Sequence, residues 1–301
     1  MKFFTTATHS QGYFPALQAS ARRYGVTLEV VGWGQKWGGF AWKLSILKKL
    51  LLREAPDEVV VFLDAFDTVL CGPPSELLAK YRAMNSEMVI SMDHGTNNKW
   101  VRWGEEVAMA GGLGKLLPSP TRYKFPNSGA FIGTASKVLQ VLSSMCKFQD
   151  CTSSVGNDQA AITRMMIETP TLISRDVYCE LFGTVFAQRG NAPISVDDDI
   201  VIREGRVVIK DTGTMPCVLH APVYGDMNLI MKELRLPERP VDPKAQRHYL
   251  RYSVANLTHA VTQEFWYVIA LTLVVIVFGI AAMATTINQN KGKLSCLLLK
   301  R

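Results

Sequence analysis

Residues 59–67 carry the run Val59, Val60, Val61, Phe62, Leu63, Asp64, Ala65, Phe66, Asp67, and no other stretch limits the possible folds as strongly. A β-branched apolar run of this length suits a buried strand and is too short for most helices. It brings two carboxylates, Asp64 and Asp67, to its C-terminal end, shortly before Cys71, Gly72, Pro73 and Pro74 interrupt regular structure. Paired acids at the edge of a buried strand suit a hard divalent cation, which takes oxygen ligands and can face a phosphate. An isolated Asp-x-x-Asp is more often one turn aspartate and one solvated one, so the pair gains weight only from its company.

Strands and helices alternate around it. Phe3 to Thr8 predicts a first strand, Gly12 to Tyr24 a helix with Phe14, Leu17 and Ala21 on one face, and Val26 to Val31 a second strand. Trp42 to Leu52 predicts an amphipathic helix with Lys43 in its first turn, placed to face a diphosphate, and Ser75 is the candidate cap of a helix to Ala83. Met88 to Asp93 predicts a strand ending in an acid, and Asn127 to Gly133 a short strand. Ser136 to Met145 and about Ala160 to Ile167 predict helices, with Asp158 at the N-terminus of the second. Ile200 to Ile209 predicts a hairpin turning at Glu204-Gly205, and Cys217 to His220 a last strand. Residues 94–122 read as loop. Short connections between alternating elements predict an α/β domain.

Three tempting motifs are set aside. Gly32-Trp33-Gly34-Gln35-Lys36-Trp37 lacks the third glycine of a dinucleotide fingerprint, and Gly111 to Lys115 lacks both the first glycine and the closing Ser or Thr of a P-loop. Asp197, Asp198 and Asp199 are consecutive, and consecutive side chains on an extended chain point to opposite faces, so this run is expected to be a solvated edge. The Gly/Trp loop keeps another use, as an aromatic surface against a base or sugar.

The net charge of +7 comes without an aromatic-interleaved basic stripe, so nucleic acid is not an expected partner. The positive balance fits an anionic nucleotide or a membrane-adjacent segment. Six cysteines show no zinc spacing, and Cys146 with Cys151 is a candidate pair. Phe265 to Ala284 carries no charge over a length that would cross a bilayer as a helix, with Trp266 and Tyr267 at its start and Lys291, Lys293, Lys300 and Arg301 beyond it. The expected organisation is therefore a catalytic or binding domain over 1–236, a proline-rich linker over 237–264, a transmembrane helix over 265–287 and a basic tail over 288–301. The expected location is a single-pass protein of the endoplasmic reticulum or Golgi. The N-terminus does not read as a signal peptide, so the side on which the domain lies stays open.

Taken in order, Thr5-Thr6-Ala7-Thr8, Gly32-Trp33-Gly34-Gln35-Lys36-Trp37, Leu47-Lys48-Lys49, Asp64-Ala65-Phe66-Asp67, Asn127-Ser128-Gly129-Ala130-Phe131-Ile132-Gly133, Asp158-Gln159 and Val218-Leu219-His220 resemble the glycosyltransferase domain of the procollagen lysyl hydroxylases over about residues 2–236. The resemblance implies a GT-A-like mixed sheet flanked by helices and transfer of a hexose from a UDP-sugar, with Mn2+, to a hydroxyl acceptor. It implies that Asp64, Asp67 and His220 hold the metal, that Thr5, Thr8 and Trp37 contact uridine or ribose, and that Asp158 belongs to the catalytic pocket. In that setting Lys43 would serve with the metal to neutralise diphosphate charge. Asp93 and Asp158 are then candidates to orient the donor sugar or take the acceptor proton.

The chain departs from the family's pattern in three places. The glycine-rich insert is shortened to Gly38-Gly39-Phe40-Ala41-Trp42, the poly-aspartate run is reduced to Asn157-Asp158, and Ala221-Pro222-Val223-Tyr224-Gly225 replaces the segment after the histidine. Nothing after residue 236 resembles the hydroxylase part, so collagen hydroxylysine is not assumed as acceptor. The competing expectation is a non-catalytic, membrane-tethered binding module on the same fold.

Overall fold

The computed structural model describes residues 1–95, 116–147, 158–185, 199–222 and 225–240, with positions 103, 106, 254 and 276. In chain order its strands are β1 (Lys2–Thr6), β2 (Leu28–Val31), β3 (Val59–Asp64), β4 (Thr68–Leu70), β5 (Met88–Asp93) and β6 (Phe125–Thr134). They continue as β7 (Ser174–Arg175), β8 (Phe182–Thr184), β9 (Ile200–Arg203), β10 (Arg206–Ile209) and β11 (Val218–His220). The helices are α1 (Phe14–Arg23), α2 (Gly39–Leu51), α3 (Pro74–Ala83), α4 (Ala135–Ser144), α5 (Asp158–Glu168) and α6 (Asn228–Glu233).

Six strands form the central sheet in the order β2-β1-β3-β6-β5-β7. β1 lies parallel to both β2 and β3, whereas β6 runs antiparallel to β3 and β5, so the sheet is mixed as expected. Period-two alternation sends Phe4, Phe62, Ile90 and Phe131 into one core and Phe3, Val61, Leu63, Val89 and Ile132 into the other. Both faces are therefore buried under helices, and each fully buried side chain of this size contributes ~1.5–3 kcal/mol. Phe62 and Phe131 stack at 5.0 Å between ring centroids, pinning the β3–β6 register from one side.

A second sheet, β4-β11-β8, begins where β3 ends, and β9 with β10 forms a separate hairpin. That hairpin turns at Glu204 and Gly205, both with positive φ (51° and 73°), the conformation of a tight two-residue turn. α3 starts one residue earlier than its expected cap: Pro73 is the N-cap and Pro74 the first helical residue, where a missing N–H costs nothing, so Ser75 is not a cap.

Several expectations need correction or fall elsewhere. Asp199 is not solvated: it is buried, with Oδ1 3.3 Å from Arg122, because the hairpin base folds against that guanidinium. Asp197, Asp198 and Gly111 to Lys115 lie outside the described residues. Cys146 is disulfide-bonded, while Cys151 lies outside the described residues; Cys71, Cys179 and Cys217 are free and buried. The expectation of a single-pass membrane protein of the endoplasmic reticulum or Golgi is also corrected. Among the described residues no helix is long and apolar enough to cross a membrane. The longest, α2, has 13 residues, or ~20 Å, against a hydrocarbon core of ~30 Å. The 265–287 stretch on which the expectation rested lies, apart from position 276, outside the described residues.

Candidate active site

Asp64 ends β3 in register with Thr6 of β1, so both strands open onto one edge of the central sheet. The chain then turns through Ala65, Phe66 and Asp67 and enters the second sheet at Thr68, whose hydroxyl donates to the Asp64 carbonyl at 2.5 Å. β11 lies antiparallel to β4 with His220 opposite Thr68, and the Ala221 N–H donates to the Asp67 carbonyl at 2.9 Å. Strand pairing thus carries the last strand's histidine to the two aspartates at the seam between the sheets.

One ligand atom from each of Asp64, Asp67 and His220 lies within 4.8 Å of the other two. His220 is buried, and neither ring nitrogen has a hydrogen-bond partner among the described residues. Asp67 Oδ1 is in the same condition, although it sits 3.3 Å from His220 Nε2 at a poor angle for a hydrogen bond. Unpaired buried polar atoms cost ~1–3 kcal/mol each, and a cation between Asp67 Oδ1 and one ring nitrogen of His220 would satisfy both of those atoms. Two carboxylates and an imidazole are a donor set for a hard or borderline divalent ion, so the residues fit the expected metal. Burial alone would lower the His220 pKa, but Asp67, Asp64 and Asp93 raise it above the ordinary histidine value.

The strand on the other side of Asp64 is irregular at the same level. β5 pairs Ile90 with Phe131 and then Ser91 with Asn127, so Ser128, Gly129 and Ala130 bulge out of the β5–β6 ladder. The Asn127 side chain accepts from the Gly129 N–H at 2.8 Å, satisfying a donor that the bulge withdraws from β5. One step beyond the Leu63–Ala130 pair, Gly129 lies opposite Asp64. A Cβ there would stand 2.3 Å from His220 Cε1 and 2.9 Å from Asp64 Oδ2, so only glycine lets the aspartate and histidine close over the strand.

Lys43, in the first turns of α2, does not face open space. Its Nζ donates to Asp64 Oδ1 at 2.8 Å and to Asp158 Oδ2 at 3.3 Å, and lies 5.0 Å from the Phe62 ring centroid. Burial would lower its pKa, but Asp64 and Asp158 outweigh burial and raise it, so the ammonium is charged. Burial pushes the Asp64 carboxyl up, with Lys43 pulling it down and Asp67 pushing it further up. Asp158 is buried as the first residue of α5, and Lys43 links it to Asp64. Asp93 is also buried. It accepts from the Gly95 N–H at 2.7 Å and from Asn127 Nδ2 at 3.4 Å, so it braces the bulge from behind.

The remaining sequence candidates separate by exposure. Thr5 is fully buried, and its hydroxyl donates to the Leu63 carbonyl at 2.6 Å. Thr6, on the Asp64 face, has a buried hydroxyl without a partner among the described residues. Thr8 lies past the strand end with its hydroxyl 2.9 Å from His9 Nδ1. Trp33 and Trp37 are 53% and 49% exposed, Trp33 stacked on Phe14 and Trp37 edge-on to Trp42. The bulge, Gly129 and the Asn127 brace had no assigned role in the sequence reading. The Asn-Ser-Gly triplet in a strand was the available signal, since Asn and Gly together disrupt a ladder.

With this geometry in view, comparison with known proteins adds the following. The family model described as PLOD GT domain matches residues 1–233. The human protein named "Multifunctional procollagen lysine hydroxylase and glycosyltransferase LH3" is 27% identical over 234 residues, covering 72% of this chain and 29% of that protein. The Drosophila melanogaster protein named "Procollagen-lysine,2-oxoglutarate 5-dioxygenase" is 23% identical over 235 residues, covering 73% of this chain and 30% of its own length. The "Uncharacterized protein R699" of Acanthamoeba polyphaga mimivirus is 24% identical over 199 residues, covering 64% and 39%. The chain thus spans well under half the length of these relatives.

Proposed function

Since the chain belongs to the PLOD GT domain family, we propose that it transfers a hexose from a UDP-sugar to a hydroxyl acceptor, using a divalent cation held by Asp64, Asp67 and His220. The observation that carries this reading is the convergence of those three side chains from two sheets, with orphaned polar atoms directed at one another over a glycine gap. When bound, such a cation, Mn2+ by the family's pattern, neutralises the charge that develops on the leaving diphosphate.

The chain's own groups take the other roles. Asp158, held by Lys43 at the start of α5, is the better placed of the two acids to orient the donor sugar or accept the acceptor proton. Asp93 braces the bulge through Gly95 and Asn127. The oxygens of Asp158 are engaged as well, with the Gln159 N–H at 3.0 Å and Lys43 at 3.3 Å, and what favours Asp158 is its link through Lys43 to Asp64. Thr5 has spent its hydroxyl inside the sheet, and the Thr6 hydroxyl, buried and without a partner among the described residues, takes its place as the one that turns to the nucleoside, beside Thr8 and Trp37. Lys43 acts on the carboxylates rather than directly on the diphosphate. The acceptor is proposed only as a hydroxyl, because procollagen lysine stands in the relatives' names and not in this chain.

UDP release from UDP-galactose and UDP-glucose, measured with Mn2+ and with chelator, tests the proposal. Mn2+-dependent release from either donor, lost in Asp67→Asn, is expected. A folded protein that releases no UDP from any UDP-hexose would replace transfer with a binding role.

A further inference from the structure

We propose that Lys43 is a resident counter-cation of the metal site: by occupying Asp64 it keeps the affinity for a divalent cation low until the donor's diphosphate arrives. This rests on the reading of Asp64, Asp67 and His220 as metal ligands. Lys43 Nζ takes Asp64 Oδ1 at 2.8 Å, whereas Asp64 Oδ2 faces His220 beside Gly129. Lys43 therefore occupies one oxygen of this carboxylate, while the other lies on the His220 side.

The Lys43 charge is fixed in place. Its side chain is 6% exposed, it lies over the Phe62 ring, and it also binds Asp158 at 3.3 Å. It cannot swing toward solvent, and it cannot reach another anion without releasing two carboxylates. A divalent cation binding Asp64 meets this ammonium across a shared ligand, and like charges at such range repel. Only Asp67 offers a carboxylate that Lys43 does not already neutralise. The negative oxygens of a diphosphate supply the missing countercharge, so cation and donor would strengthen one another's binding, by the same factor in each direction.

Other roles for Lys43 predict different results. A purely structural lysine, once removed, loosens Asp64 and weakens cation binding. A lysine that contacts the diphosphate itself leaves binding of the cation alone unchanged. A counter-cation, once removed, makes cation binding tighter.

The test titrates Mn2+ alone, then Mn2+ with UDP, into the full chain, read by calorimetry and by the electron paramagnetic resonance of bound Mn2+. Lys43→Met is expected to bind Mn2+ at least tenfold more tightly than wild type, about 1.4 kcal/mol, and UDP is expected to strengthen Mn2+ binding less than in wild type. Because Lys43→Met leaves Asp158 without its cation, the same comparison is made between Asp158→Asn and the double variant Lys43→Met/Asp158→Asn. The double variant should again bind Mn2+ at least tenfold more tightly. Equal or weaker Mn2+ binding on removal of Lys43 in both pairs, with wild type binding normally, overturns this inference alone. If no variant binds Mn2+ with or without UDP, the metal-site reading falls as well.

Discussion

Replacing Gly129 by alanine adds one methyl group where β6, Asp64 and His220 meet. Its Cβ would stand 2.3 Å from His220 Cε1 and 2.9 Å from both His220 Nε2 and Asp64 Oδ2, against ordinary contacts of 3.4–4 Å. The imidazole must retreat by about 1 Å, whereas metal–ligand distances tolerate only ~0.2 Å. Overpacking of this kind costs ~1–3 kcal/mol of stability, which for a domain of this size lowers Tm by ~2–12 °C. The decisive readout is the response to metal. At a Mn2+ concentration a hundredfold above Kd, wild type gains about 2.7 kcal/mol, a rise of ~5–11 °C. Gly129→Ala should start lower and show no rise with Mn2+, measured by thermal denaturation followed by circular dichroism. A Mn2+-dependent rise of wild-type size in Gly129→Ala would refute the argument that this glycine makes room for the site.

Three further outcomes are expected. Arg206 donates twice to Glu76, at 2.8 and 3.0 Å, and with Lys80 holds its carboxyl down at about 2. That stabilisation is fully present above the unfolded value near 4.5 and is lost as pH falls from there toward 2. Solvent screening at this partly exposed site leaves about 1 kcal/mol, so Glu76→Gln should cost about that at pH 7 and nothing near pH 2 in urea denaturation. Thr6→Val should weaken UDP binding several-fold, read by calorimetry, without lowering Tm, because it removes a buried hydroxyl that lacks a partner. Tyr13 receives the Met227 N–H at 2.7 Å and lies 3.0 Å from both Asp226 Oδ1 and Asn228 Oδ1, tying α6 to α1; Tyr13→Phe should cost ~1–3 kcal/mol in urea denaturation.

How much was legible beforehand follows from how local each signal is. β5 ends where its apolar run ends, at Asp93, and the 200–209 hairpin turns at the expected pair, because period-two burial and a Glu-Gly turn are read within a few residues. β4, β7 and β8 were not foreseen: at two or three residues each, they are strands only because β11 and β5 supply partners distant in sequence. α6, six residues long, was not foreseen either, and its anchor is Tyr13 at the other end of the chain. Asp64 and Asp67 stood out through the strand they terminate, but what separates them is a change of sheet, which no local pattern announces. Lys43 was expected to face a diphosphate because it follows a glycine loop. Its carboxylate partners lie 21 and 115 residues away, and only the folded chain brings them to it. Asp199 misled in the opposite direction, since an acidic run reads as solvated until Arg122 is placed beside it.

The central claim is that Asp64, Asp67 and His220 form one cation site that receives the diphosphate of a nucleotide sugar. Titration of UDP into the full chain, with Mn2+ and then with chelator, tests it most directly when Asp67→Asn is run alongside wild type. Wild type should bind UDP at least tenfold more tightly with Mn2+ than with chelator, and Asp67→Asn should bind as chelated wild type does under both conditions. Wild-type UDP affinity that is the same with and without Mn2+ would contradict the account.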